Sequence, residues 1–177
     1  MYTISQARAV DLLVLADIEL AAARLLTGHA PESVLTTTTS LDALTSAQRD
    51  GRLWVARAGD SPVGFAYVEV LEADAPHLEE IDVHPDHGRR GLGTRLVNAV
   101  CDWAENEGYA AVTLSTFRDV PWNMPFYARL GFELVAPEDR SSALNAVVSA
   151  EKAKGLSVER RVVMRRVVDA ESLQRRG

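Results

Sequence analysis

Apolar positions recur along this chain with two distinct periods. "YTISQAR" (2–8) alternates and predicts a strand, whereas Leu12, Leu15, Ile18, Ala22 and Leu25 fall on one face of a helix that Asp11 caps and that runs to about Leu26. "TGHAPESVLTTTTS" predicts a loop, because glycine, proline and consecutive threonines disfavour helix. Ser40 then caps a short helix closed by Gly51. "RLWVARA" and "VGFAYVEVLE" predict strands joined by the turn "GDSP", and "HLEEIDV" (77–83) predicts a further strand. A helix from about Gly91 to Glu107 follows, with Leu92, Leu96, Val100 and Trp103 as its buried stripe and Gly108 at its end. The remaining pattern predicts a strand at 110–116, a short helix at "WNMPFYARL" closed by Gly131 and a strand at "FELVA". A helix ended by Gly155 and a last strand in "SVERRVVMRRVV" complete it. This order implies a mixed α/β sheet with one parallel crossover around residues 84–100.

Composition narrows the class. The chain has 177 residues, of which 47% are hydrophobic, and this suits one domain spanning 1–177 with a frayed tail at 168–177. No repeat or linker divides it. No signal-like leader and no run near the roughly 20 apolar residues of a membrane span are present, so no membrane partner is expected. The single Cys101 excludes an internal disulfide and fits the reducing cytoplasm. A net charge of −6 argues against a nucleic-acid partner and is compatible with a basic substrate such as an amine. The chain is expected to be a monomer or homodimer.

One stretch asks for a specific ligand. "HPDHGRRGLGTRLVNAV" (84–100) places Gly88, Gly91 and Gly93, with Arg89 and Arg90, between a strand end and a helix start. The first amides of a helix lack intrahelical partners and lie at the positive end of its dipole. Glycines let phosphate oxygens approach the backbone, and arginines add charge-assisted donors. The glycine order does not match a dinucleotide-binding turn, and the Gly-Lys-Ser/Thr of a P-loop is absent.

"IDVHPDHGRRGLGTRLVNAV" resembles the acetyl-CoA signature of the GNAT N-acetyltransferases, and "FYARLGFELV" is similar to that family's second signature. The resemblance covers residues 2 to 136. It implies a single-domain GNAT-like fold, with a mixed, mostly antiparallel sheet of about seven strands flanked by helices. One extra helix would precede the last strand. It implies acetyl-CoA as co-substrate, no metal, and transfer of an acetyl group to a primary amine of a small-molecule or peptide acceptor within a ternary complex. Position by position, Arg89, Arg90, Gly91, Leu92, Gly93 and Thr94 would hold the pyrophosphate. Gly88 stands where the family has Arg or Gln and keeps only its amide. Ile81, Asp82 and Val83 would offer backbone to the pantetheine and the oxyanion. Tyr127 would face the CoA sulfur as general acid.

The proton on the acceptor needs a base. Strand parity places His77, Glu79, Ile81 and Val83 on one face and Leu78, Glu80, Asp82 and His84 on the other. Family members carry His or Glu at the positions matching His77 and Glu79, so both are candidate bases. A bulge in this strand would exchange Glu79 for Glu80, which stays a candidate. Asn123 and Trp122 sit where a cap is expected, and Val120 replaces the family's usual Asn. Ser115 stands where the ribosomal-protein acetylating members carry Glu. Arg160, Arg161, Arg165 and Arg166 read as a solvated strand face, and Cys101 as a structural thiol. A non-catalytic acyl-CoA-binding domain of the same fold is the alternative reading.

Overall fold

The two periodicities become strands and helices in the expected order. In this computed structural model, which describes residues 1–71 and 76–168, the first segment is β1 (Tyr2–Gln6). It leads into α1 (Leu12–Ala23), α2 (Glu32–Thr36) and α3 (Leu41–Arg49). The hairpin β2 (Leu53–Ala58) and β3 (Ser61–Val70) precedes β4 (Pro76–Val83) and α4 (Leu92–Asn106). Then come β5 (Ala111–Phe117), α5 (Met124–Arg129), β6 (Glu133–Leu134), α6 (Ser142–Ala153) and β7 (Arg161–Val167). The strands form one seven-stranded sheet in the order β1-β2-β3-β4-β5-β7-β6. The tail expected to fray lies, beyond residue 168, outside the described residues.

The chain forms two compact units, residues 1–69 with 78–100, and residues 70–77 with 101–177. In the first, β1, β2 and β3 pair antiparallel, with Ile4 opposite Ala56 and Val55 opposite Phe65. Leu15, Leu44, Leu53 and Phe65 are fully or almost fully buried in its core. Each contributes roughly 1.5–3 kcal/mol relative to an exposed position. The Ser40 side chain accepts from Ala43 N at 3.2 Å, which caps α3 as its sequence predicts. An irregularity between Ala56 and Arg57 shifts the β2–β3 register. Such a bulge re-aims a side chain, and Arg57 is buried here against the Asp11 carboxyl, Nη1 to Oδ1 2.9 Å. Burial alone would raise the Asp11 pKa, but hydrogen bonds from Arg57 and Arg8 hold it well below the usual carboxylate range.

In the second unit β5 pairs antiparallel with β7, Leu114 opposite Met164, and β6 adds to the far side of β7. Ser141 caps α6 through Leu144 N at 3.2 Å. This helix lays Leu144 and Val148 on Val163. Its Glu151 accepts from Arg161 Nη2 at 2.7 Å and from the Ser115 hydroxyl at 2.9 Å.

Several local expectations change. Residues 32–36 are helical rather than loop, started at Pro31 with φ −65° and favoured by Glu32 in the first turn. Leu25 is 55% exposed, because the chain tightens to a 3-10 turn at Arg24–Leu26 and leaves the 3.6-residue period. Trp103 is only half-buried and packs against Tyr109 with ring centroids 5.5 Å apart. The basic stripe of the last strand is not simply solvated: Arg160 pairs with Asp119 at 2.7 Å and Arg161 with Glu151.

Candidate active site

The loop after β4 is a sequence of forced turns. Pro85–His87 form one 3-10 turn, with Gly88 N donating to Pro85 O at 3.0 Å. Arg89 then adopts φ 55° and Gly91 φ 73°. Arg89 is the one non-glycine residue with positive φ among those described, a conformation costing roughly 1–3 kcal/mol and found mostly where function requires it. A Cβ on Gly91 would meet nothing within 4 Å, so its side is open for a ligand. The first backbone bond into α4 runs from Arg95 N to Gly91 O at 3.1 Å. The amides of Leu92, Gly93 and Thr94 precede it and point out of the helix end.

Tyr2 of β1 buttresses this loop, which its sequence gave no reason to expect. Its hydroxyl lies 3.0 Å from His87 Nδ1, the Arg90 guanidinium lies 5.7 Å from its ring centroid, and Arg95 Nη2 donates to its carbonyl at 3.1 Å. A pyrophosphate fits the loop: open amides on the helix axis, a glycine without contacts, and exposed Arg89 and Arg90 beside them.

β4 distributes its polar residues differently from the simple parity expectation. His77 is 2% exposed, and its Nδ1 lies 2.9 Å from the Thr113 hydroxyl. The ring is thus enclosed and held by the neighbouring strand. Glu79, expected in line with the apolar face, is exposed instead. The sheltered carboxyls are those of the other parity, Glu80 and Asp82. Gly64 of β3 explains the close approach there, since a Cβ on it would sit 2.7 Å from the Asp82 carbonyl oxygen.

Glu80 and Asp82 meet Glu19 of α1, and one carboxylate oxygen of each lies within 4.8 Å of the others. Burial pushes the Glu80 pKa up to about 7, helped by the negative charges of Glu19 and Glu79. Asp82 is raised as well, by burial first and then by Glu80 and Glu19. Burial raises Glu19 against the opposing hydrogen bonds from Thr39. Strand parity had paired Glu80 with Asp82. Glu19 was missed, although it interrupts the buried stripe Leu15–Ile18–Ala22, and a charge on such a stripe is itself a signal.

In the second unit, Tyr127 of α5 is half-buried, with edge-on contacts to Phe126 at 5.0 Å and Phe132 at 5.9 Å. Gly131 at φ 84° closes the turn. Asn123 occupies the cap position but makes no side-chain cap bond, so capping does not account for it. Cys101 is buried, and burial pushes its thiol up to about 11, as suits a structural group.

The acetyltransferase (GNAT) family matches this chain over residues 20–132, from α1 to the turn after α5. The chain belongs to that family. Among relatives, an uncharacterized N-acetyltransferase of Methanocaldococcus jannaschii is 31% identical over 96 residues, 51% of this chain and 42% of that protein. A mycothiol acetyltransferase of Parafrankia is 42% identical over 72 residues, 35% of this chain and 21% of that protein. The matched segments thus span less than half the length of these GNAT relatives. The fold is that of the PaiA N-acetyltransferase of Thermoplasma acidophilum, solved with coenzyme A. The TM-score is 0.72 at 15% identity, covering 94% of this chain and 99% of that one. The ribosomal-protein-S18-alanine N-acetyltransferase of Escherichia coli gives 0.66 at 22% identity, covering 96% and 95%. Among the described residues, no helix is long and apolar enough to cross a membrane.

Proposed function

We propose that this chain, as one N-acetyltransferase domain, transfers an acetyl group from acetyl-CoA to a primary amine by direct attack. The observation that supports this most is the open amide loop at Arg89–Thr94, preceded on the same unit by a carboxyl, that of Glu80, raised to about 7. A pyrophosphate on the loop would be held by backbone N–H groups and by Arg89 and Arg90.

The amine nitrogen forms its bond to the thioester carbonyl carbon, and the carbon–sulfur bond breaks. The acceptor enters as an ammonium, so one proton must leave before attack. Glu80 takes it, in preference to the exposed Glu79 and the packed His77. Each unit by which a carboxylate's pKa is raised eases that transfer by about 1.4 kcal/mol. The oxyanion is met by backbone N–H in the Ile81–Val83 stretch. The departing thiolate takes its proton from the Tyr127 hydroxyl, the role that its place before "ARLGF" implies, and the second proton of the nitrogen, lost as the amide forms, restores that hydroxyl through solvent.

Incubation with acetyl-CoA and a panel of amines, followed by titration of free thiol, tests this reading. Amine-dependent thiol release is the expected result. Tight CoA binding with no release for any amine would instead favour a non-catalytic acyl-CoA-binding domain.

A further inference from the structure

The helix α1 differs from the other long helices in what it shows to solvent. α4 turns Arg95, Asn98, Asp102 and Glu105 outward, as a helix lying on a core does. α1 reads "LLVLADIELAAA" and is apolar on both faces. Its inner face buries Leu15, Ile18 and Ala22, yet Leu13 is 76% exposed and Val14 38%, and Val10 in the turn before it is 61% exposed. A helix apolar all round belongs inside a protein or against a partner.

Two charges stand in register on that outward face. Asp17 and Arg24 are both exposed and seven residues apart, so two turns set them on one line along the helix. Arg24 continues the helical backbone, with φ −58° and ψ −25°. Roughly 10 Å of rise separates the two residues, too far for them to pair with each other. Among the described residues, neither forms an ion pair. Half-buried Leu20 and Ala21 lie between them.

This order is complementary to itself. Two copies of α1 packed antiparallel about a two-fold axis between Leu20 and Ala21 bring Asp17 of each opposite Arg24 of the other. The small Ala21 lets the backbones approach. Leu13 of each copy then falls at the level of Gly28 of the other, where a Cβ would meet nothing within 4 Å. Parallel packing would set like charge on like charge, and a slip of one turn either way would set both charges against uncharged residues. Helices about 18 Å long cover less than the roughly 800 Å² per partner of a standard interface, so association depends on concentration.

We propose that the outward face of α1 is a homodimer interface, at which two copies of this chain pack antiparallel with reciprocal Asp17–Arg24 pairs. The apolar residues supply the attraction, and the two charge pairs fix direction and register.

Sedimentation velocity of the full chain from about 1 to about 200 μM tests the interface. A reversible monomer–dimer equilibrium is expected, and Leu13→Glu is expected to weaken it at least tenfold. Asp17→Arg and Arg24→Asp should each be monomeric where the wild type is dimeric, because each sets like charges opposite one another. The double variant D17R/R24D should regain the dimer. An equimolar mixture of the two single variants should form a heterodimer, one chain then carrying two arginines and the other two aspartates. All these positions are exposed, and melting transitions near that of wild type confirm that the variants fold. A wild type that stays monomeric over the whole range would overturn the proposal, including one that binds phosphatidylcholine vesicles, the outcome for a face covered by lipid. So would a dimer unaffected by the three single variants, or a mixture that associates no more than its components.

Discussion

The Tyr2 hydroxyl lies 3.0 Å from His87 Nδ1, joining the first strand of the chain to the loop that precedes α4. The rings meet edge-on with centroids 5.8 Å apart, and the Arg90 guanidinium lies over the Tyr2 ring, 5.7 Å from its centroid. This ties the loop's unusual backbone, Arg89 at φ 55°, to a rigid strand. Tyr2→Phe keeps the packing and removes the hydrogen bond, a loss of about 0.5–1.5 kcal/mol. Calorimetry is expected to show acetyl-CoA binding weakened by roughly two- to tenfold, with turnover at saturation nearly unchanged. Wild-type affinity in the variant would mean that the loop holds its shape without Tyr2.

Glu80 and Glu79 offer a direct contrast, since they are neighbours on one strand with opposite exposure. A base raised to about 7 is ionised only above that pH, so the rate with a fixed amine should climb through this range. Glu80→Gln should flatten that limb and slow turnover at neutral pH by about 10²–10⁴-fold, with partial recovery at higher pH as the amine loses its proton to solvent. Glu79→Gln should keep the wild-type profile. The reverse pattern, measured by initial rates of thiol release, would move the base to Glu79.

Tyr127→Phe removes a hydroxyl while keeping the ring that packs on Phe126 and Phe132. Loss of a general acid costs up to about 10²–10⁴-fold where proton transfer limits the rate, and less for a thiolate leaving group. Turnover should fall while acetyl-CoA affinity holds. Turnover equal to wild type would take Tyr127 out of the mechanism.

The strands, the long helices and the glycine-rich turn before α4 were legible because each rests on local rules. The continuous apolar runs at β2 and β3, the Leu92–Leu96–Val100 stripe and the Ser40 cap need no information from distant residues. The carboxyl cluster was legible only by half. Parity links Glu80 to Asp82, but which face of β4 is sheltered depends on where α1 lies. Nothing local brings residue 19 to residue 82. Tyr2 and His87 stand 85 positions apart, and neither carries a motif. The contact of His77 with Thr113 was equally hidden, because the two residues lie on different strands.

The Asp11–Arg57 pair should control stability in acid. Removing one partner of a buried pair costs about 3–5 kcal/mol, because the other is left charged and unpaired. Arg57→Met should therefore lower the melting temperature sharply at pH 7. The Asp11 carboxyl is held below its unfolded value near 3.8, so its stabilisation is present above that pH and is lost as pH falls further. The gap between wild type and variant should then narrow below pH 4. A gap independent of pH would assign the effect to packing alone.

The carboxyl cluster should act on stability with the opposite sign. Glu80 titrates near 4.5 when unfolded and near 7 when folded, so the folded state holds the proton more tightly between these values. Its contribution is thus fully present below about pH 4.5 and is lost as pH rises through 7, where buried charges with no cationic partner accumulate. Glu80→Gln mimics the protonated acid at every pH. Near pH 5 the variant should melt close to wild type, and by pH 8 it should melt higher, by an amount that grows across the interval. Differential scanning calorimetry at pH 5, 6, 7 and 8 measures this difference. A variant that melts below wild type at pH 8 would show that the ionised carboxyls are already compensated within the protein.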